Sequence, residues 1–206
     1  MTIHQWPIMV LLLAGACGTT APSLSRAERD RLPRDARQEI FDAENDVTIA
    51  RNRHDEAKDR LRALKVALDQ LDERQGRSEE RLSSTPAGSS HVSALRRVTR
   101  AEQDYLEARQ EVAESDVEVA EQEVTTARAR LDLVKQRQLV RIGKVSLASL
   151  KDFERAIEAE EARGKQKRAS SLDLRSRAQT RLDAWKAAQQ GYASQTGDFD
   201  SGVWIE

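Results

Sequence analysis

Eleven positions spaced alternately four and three apart run through one stretch of the chain: Ala36, Ile40, Ala43, Val47, Ala50, His54, Ala57, Leu61, Leu64, Leu68 and Leu71. All are apolar except His54. Such spacing, held over five heptads, keeps one narrow stripe on one side of a helix and defines a coiled-coil seam. The positions between are dominated by Arg, Asp, Glu and Lys, as a solvated outer face requires. Pro33 suits a first helical turn, where its missing N–H costs nothing. A first helix is therefore expected over 33–82, about 75 Å long. Its alanine half lets a partner helix approach closely. Its leucine half offers more area, about 1.5–3 kcal/mol for each fully buried Leu, so 61–71 is expected to be the firmest part.

Ser83-Ser84-Thr85-Pro86-Ala87-Gly88-Ser89-Ser90 breaks this pattern with Pro, Gly and hydroxyl residues. A second helix is expected from 90–93 to about 142, matching the first in length, as an antiparallel hairpin needs. Its seam reads Val98, Ala101, Tyr105, Ala108, Val112, and then shifts by one residue to Ala113, Val117, Ala120, Val124, Ala127, Leu131, Val134. The offset predicts either a local change of supercoil or a handover from one packing partner to another. Gly143 reads as a helix stop, and Ser149-Leu150-Lys151-Asp152 resembles a capping box opening a third helix. That helix has Leu147, Leu150, Phe153 and Ile157 at its start and Ala178, Leu182, Trp185 and Tyr192 near its end. The segment 158–168 between them has almost no large apolar residue and contains Gly164, so a bend or local disorder is expected there.

Composition agrees with long helices: of 206 residues, 33% are charged and 4% aromatic, with only nine Gly and four Pro. The predicted fold class is all-α, an elongated antiparallel coiled-coil hairpin with a third long helix alongside, forming a three-helix bundle about 70 Å long. A formal net charge of −1 gives no global field for nucleic acid. Arg96, Arg97 and Arg100 make only one small basic cluster. There is no phosphate-cradling Gly loop, no H-E-x-x-H, no Cys cluster and no nucleophile elbow. We therefore expect no enzyme, no cofactor, no metal and no small-molecule substrate. His54 is expected as a register device within the seam, or as a pH device, since protonation would place charge among apolar residues.

Before the seam lies a different kind of segment. Ile8 to Ala16 is apolar, too short to span a bilayer, and ends in small residues before Cys17, the only cysteine. Leu13-Ala14-Gly15-Ala16-Cys17 resembles a bacterial lipobox, with Ala14 where the commonest form has Leu and no Lys or Arg before the apolar run. The resemblance covers only this leader. It implies cleavage before Cys17, a diacylglycerol on its thiol and an acylated new amino terminus. Three acyl chains exceed what stable anchoring needs. Gly18 after the cysteine, by similarity to enterobacterial lipoproteins, implies sorting to the outer membrane, with the chain facing the periplasm.

The expected organisation is thus a signal peptide at 1–16, a lipidated Cys17 with a flexible tether over 17–32, the helical bundle over 33–196 and a non-helical tail over 197–206. In the tail, Phe199, Val203, Trp204 and Ile205 are candidates for partner contact, for folding back onto the bundle, or for a disordered end. The function this suggests is a non-enzymatic envelope lipoprotein acting as a membrane-anchored spacer, scaffold or partner-binding rod, with protein partners or self-association through the coiled coil. Alternatives are a helical-hairpin component of an envelope transport or efflux assembly, or a periplasmic holdase. The low aromatic and Met content speaks against the holdase.

Overall fold

The computed structural model describes residues 23–83 and 88–197. Among them every regular element is helical: α1 (Arg26–Arg31), α2 (Arg34–Ser83), α3 (Gly88–Arg141) and, after one turn of 3₁₀ helix at Leu147–Ser149, α4 (Leu150–Thr196). The 54 residues of α3 span about 80 Å at the helical rise of 1.5 Å per residue. It is the middle helix. α2 packs along one side of it and α4 along another, while α2 and α4 have almost no close backbone contact with each other.

Both pairings are antiparallel. Gln138 near the end of α3 donates to Glu39 near the start of α2, and Arg96 near the start of α3 pairs with Glu79 near the end of α2. In the same way Arg137 meets Glu154 at one end of α4, and Asp104 meets Arg181 towards the other. All eleven expected seam positions of α2 are buried or half-buried. The leucine half is not uniformly the more buried one, however. Ala36 and Ile40 are fully buried at 0% exposure, whereas Leu61, Leu64 and Leu68 are only half-buried. The small side chains at the start of α2 admit α3 closely, and Leu32, with Leu24 beside it, closes the cluster from outside. Further on, Leu64 forms part of the wall of an open cleft, whereas Leu71 is enclosed at 1% exposure.

The one-residue shift in the α3 pattern is a change of partner. Ala94, Leu95 and Val98 cluster with Tyr192 of α4, joined by Trp185 and Ala188, and Tyr105 stacks on Trp185 at 5.4 Å between ring centroids. Beyond the shift, Val124 and Ala127 pack on Val47 and Ala50 of α2, and Leu131 and Val134 on the cluster at Ile40. The apolar stripe of α3 thus passes from α4 to α2 along its length.

Where that stripe has left α4, the interface is polar, and α4 continues unbroken through 158–168. The segment is ordered helix, and α3 grips it with side-chain bonds. Gln122 donates to the Glu160 carboxylate at 2.6 Å and to its carbonyl at 3.2 Å, and Arg130 reaches Glu161 at 2.6 Å. Further along, Asp116 accepts from both Ser171 and Arg175. Close approach is possible because Gly164, Ser171 and Ala178, seven residues apart, occupy the buried edge of α4. They continue a heptad that begins at Leu150 and ends at Tyr192.

The turn between α3 and α4 is built around Gly143, whose φ of +75° is a left-handed conformation that costs a residue lacking Cβ nothing. Lys144 N–H donates to the Leu139 carbonyl and Gly143 N–H to that of Val140, both at 2.9 Å, the paired bonds of a Schellman motif. The expected capping box at Ser149 does not form. Ser149 is already helical, as the last residue of the 3₁₀ turn, and its hydroxyl donates back to the Ser146 carbonyl at 2.8 Å. For the same reason Leu147 does not join the α4 seam; it stands out from the turn with 71% of its surface exposed.

A capping box does form at Ser25, where Glu28 returns the bond at the start of α1. This short helix corrects the expectation that all of 17–32 is flexible tether. Its residues 23–32 are strapped to the bundle: Leu32 and Leu24 join the Ile40 cluster, Arg29 holds Glu44 with two bonds of 2.9 and 2.7 Å, and Lys144 pairs with Glu28. Three separate contacts overcome the marginal stability of a six-residue helix.

Candidate functional site

Two regions have features that helix packing alone does not explain. The first is a cleft of about 460 Å³ midway along the bundle, where α2, α3 and α4 all contribute walls. Its floor is apolar, with Leu64, Val112, Ala178 and Leu182, and its rim carries Arg60, Arg109 and Arg175. Arg175 is bound to Asp116 at 2.8 Å, and Arg60 lies 3.5 Å from Glu56 on its own helix. Arg109 instead sits over the Tyr105 ring, 5.8 Å from its centroid. Next to this cleft the Trp185 indole N–H is buried with no hydrogen-bond partner among the described residues. The incomplete burial of Leu64 follows from this opening.

The second region is the end of the bundle at which α1 is strapped. Here the α3–α4 turn holds Leu147 and Ile142 outward, 71% and 41% exposed, and Lys144 of the same turn grips Glu28 of α1. Sequence reasoning missed this feature because Leu147 is in phase with the α4 pattern. The signal that could have shown it is Gly143 four residues earlier, since a left-handed cap followed by extended Ser146 re-aims the chain.

Of the residues singled out in the sequence, Cys17, Phe199, Val203, Trp204 and Ile205 lie outside the described residues, as does the 84–87 connection between α2 and α3. His54 is in the α2 seam as expected, half-buried, with Nδ1 3.9 Å from the exposed carboxylate of Asp55. It borders neither region described above.

Several carboxylates along the bundle are tied to arginines of a neighbouring helix. Arg130 holds the Glu161 carboxyl below its ordinary range, and Arg96 does the same to Glu79. Glu102 is the opposite case. Only 3% exposed, between α2 and α3, its carboxyl is pushed up by burial, an effect that Arg74 at 3.5 Å partly offsets. It does not line the central cleft. Among the described residues no group of three or more His, Cys, Asp or Glu could hold a metal ion, and no helix is long and apolar enough to cross a membrane.

No protein-family model, curated protein or solved structure matches this chain.

Proposed function

We propose that this chain is a non-enzymatic lipoprotein of the bacterial envelope, anchored through Cys17 to the outer membrane, and that its helical body is a spacer, scaffold or partner-binding rod in the periplasm. The observation that carries the reading is the lipobox-like Leu13-Ala14-Gly15-Ala16-Cys17 placed just ahead of a body whose middle helix has 54 residues. The strap formed by α1 supports it. A chain anchored at Cys17 enters the bundle through α1, whose contacts with Glu44 and Lys144 transmit the position of the anchor to the bundle. From Ser23 to Cys17 the chain extends at most about 20 Å, so the α3–α4 turn lies near the membrane and the α2–α3 connection at the far end. Partners meet the rod at that far connection or through the tail residues Phe199, Val203, Trp204 and Ile205.

The test is incorporation of labelled palmitate into the wild-type chain and into Cys17→Ser, followed by membrane fractionation. Label in the wild type alone, with sedimentation in the outer membrane, is the expected result. Absence of label from both, with the protein in the soluble fraction, overturns the anchored rod.

A further inference from the structure

We propose that the α3–α4 turn is a membrane-contact surface, which seats the near end of the bundle on an anionic lipid headgroup layer. The proposal rests on the anchored reading above and adds what the protein does at the membrane once tethered. Two aliphatic side chains, Ile142 and Leu147, flank this turn and face solvent. They are not on a loose loop. The Schellman bonds at Gly143 and the 3₁₀ turn at Leu147–Ser149 fix the backbone that presents them. A turn rigid enough to hold two aliphatics outward, beside basic side chains, has the composition of an interfacial wedge.

Charge points the same way. Over 23–36 and 140–153, the two stretches that form this end, there are seven Lys or Arg and four Asp or Glu, whereas the whole chain is at −1. Arg141, Lys144 and Lys151 come from the turn and its flanks; Lys144 is paired with Glu28 of α1, and Asp152 is the neighbour of Lys151. Each cation close to an anionic surface strengthens attachment about fivefold. The chain outside the described residues decides the occupant. It departs at Ser23, at this end of the bundle, and leads within six residues to Cys17. Whatever the anchor is embedded in is therefore what the turn meets. With the headgroups as partner, Leu147 and Ile142 reach below the phosphate level, the cations lie along it, and the rod stands off the membrane instead of swivelling freely.

The experiment uses the lipidated full chain in vesicles, with the substitution Leu147→Cys labelled by an environment-sensitive dye. Val66→Cys, at a position 54% exposed on α2, serves as the mid-rod control. Quenching by shallow nitroxide lipids is read in vesicles of phosphatidylcholine with and without phosphatidylglycerol, and the mass of the N-terminal peptide is read on the same sample. The expected result is quenching several-fold stronger at 147 than at 66, stronger still with phosphatidylglycerol, and reduced in the Ile142→Ser background. Equal quenching at 147 and 66 in a chain whose Cys17 carries lipid overturns the seated turn and leaves the anchored rod standing. An unmodified Cys17 overturns the anchored rod, and the seated turn falls with it. Helical content and unfolding temperature of each variant confirm that these exposed substitutions leave the bundle folded.

Discussion

The α2–α3 interface near Ile40 and the α3–α4 interface near Gly164 join helices in the same antiparallel sense, but by different means. At the first, Ala36, Ile40, Val47 and Ala50 close on Val124, Ala127, Leu131 and Val134, and the stabilisation is removal of apolar surface from water. At the second, Gly164 and Ser171 offer little apolar area, and Gln122, Asp116, Glu123 and Arg130 supply directional bonds. Exposed ion pairs typically contribute only about 0–1 kcal/mol each. The α4 segment is thus the weaker and more adjustable side of the rod. One middle helix can hold one partner firmly and another loosely when its apolar stripe changes sides.

The largest effect that can break this comparison is a truncation in the apolar interface. Ile40→Ala is expected to cost about 2–5 kcal/mol, because the side chain is fully enclosed and the cluster around it cannot collapse completely. Ser171→Ala at the polar interface is expected to cost about 0.5–1.5 kcal/mol, since Asp116 keeps Arg175. Urea unfolding of the two variants gives the ratio, and equal costs would mean the interfaces do not differ as described. Next comes Gly164. An added Cβ would lie 3.6 Å from the Arg168 guanidinium and 3.7 Å from the Gln122 side chain, ordinary contact distances. Gly164→Ala is therefore expected to stabilise by about 1 kcal/mol through helix propensity. Gly164→Leu is expected to destabilise by about 1–3 kcal/mol through overpacking against α3. Thermal unfolding should move in opposite directions for the two.

The apolar interface was legible and the polar one was not, for a physical reason. A seam such as Ala36 to Leu71 writes itself as a periodic contrast between apolar and charged residues, so helix limits, partner and register follow from one chain segment. The pairing of Gln122 with Glu160, or Asp116 with Ser171, depends on two distant segments meeting, and each residue alone looks like solvated surface. Small residues at spacing seven were the available trace of close approach in α4, hidden because a search for large apolar side chains passes over Gly164 and Ser171. Firmness along α2 does not follow side-chain size, because size decides the area available while burial depends on what lies opposite: Leu71 is enclosed and Leu64 is not. Leu64 faces an opening that only the third helix creates. At the strapped end, Leu147 fitted the α4 heptad, and only the backbone turn at Gly143 removes it from that helix.

Acid should separate the two interfaces further. Glu161 and Glu79 have carboxyls held below their ordinary value of 4.5 by Arg130 and Arg96. A carboxyl lowered in the folded chain contributes stability that is present above the unfolded value and is lost as pH falls through the folded one. The loss therefore falls below about pH 4.5 and acts on α4 through Glu161 and on the far end of α2 through Glu79, while the contacts over 36–50 are apolar. Hydrogen exchange at pH 3 and pH 7, corrected for intrinsic rates, is expected to show protection lost first over 160–181 and retained over 36–50. Equal loss in both would mean that the apolar contacts of α4 at Trp185 and Tyr192 set its stability.

The smallest effect tests the reverse sign within the α2–α3 pair. Glu102 is buried there, and its pKa is raised by that burial, with Arg74 offsetting only part. A carboxyl raised in the folded chain favours folding below its unfolded value, and that contribution is lost as pH rises through the folded value. At pH 7 the buried carboxylate is thus a cost. The Arg74 side chain is 38% exposed and can be hydrated without its partner. Glu102→Gln keeps the shape and removes the charge, so a gain of up to about 1 kcal/mol is expected at pH 7. That gain should shrink towards pH 4, where the wild-type carboxyl is protonated. Urea midpoints of wild type and variant at the two pH values give the difference directly. A loss of stability at pH 7 would instead show that the pair with Arg74 outweighs desolvation. The far end of the α2–α3 interface would then be held by charge, as α4 is, and the contrast would be between the two ends of the rod, not between its two outer helices.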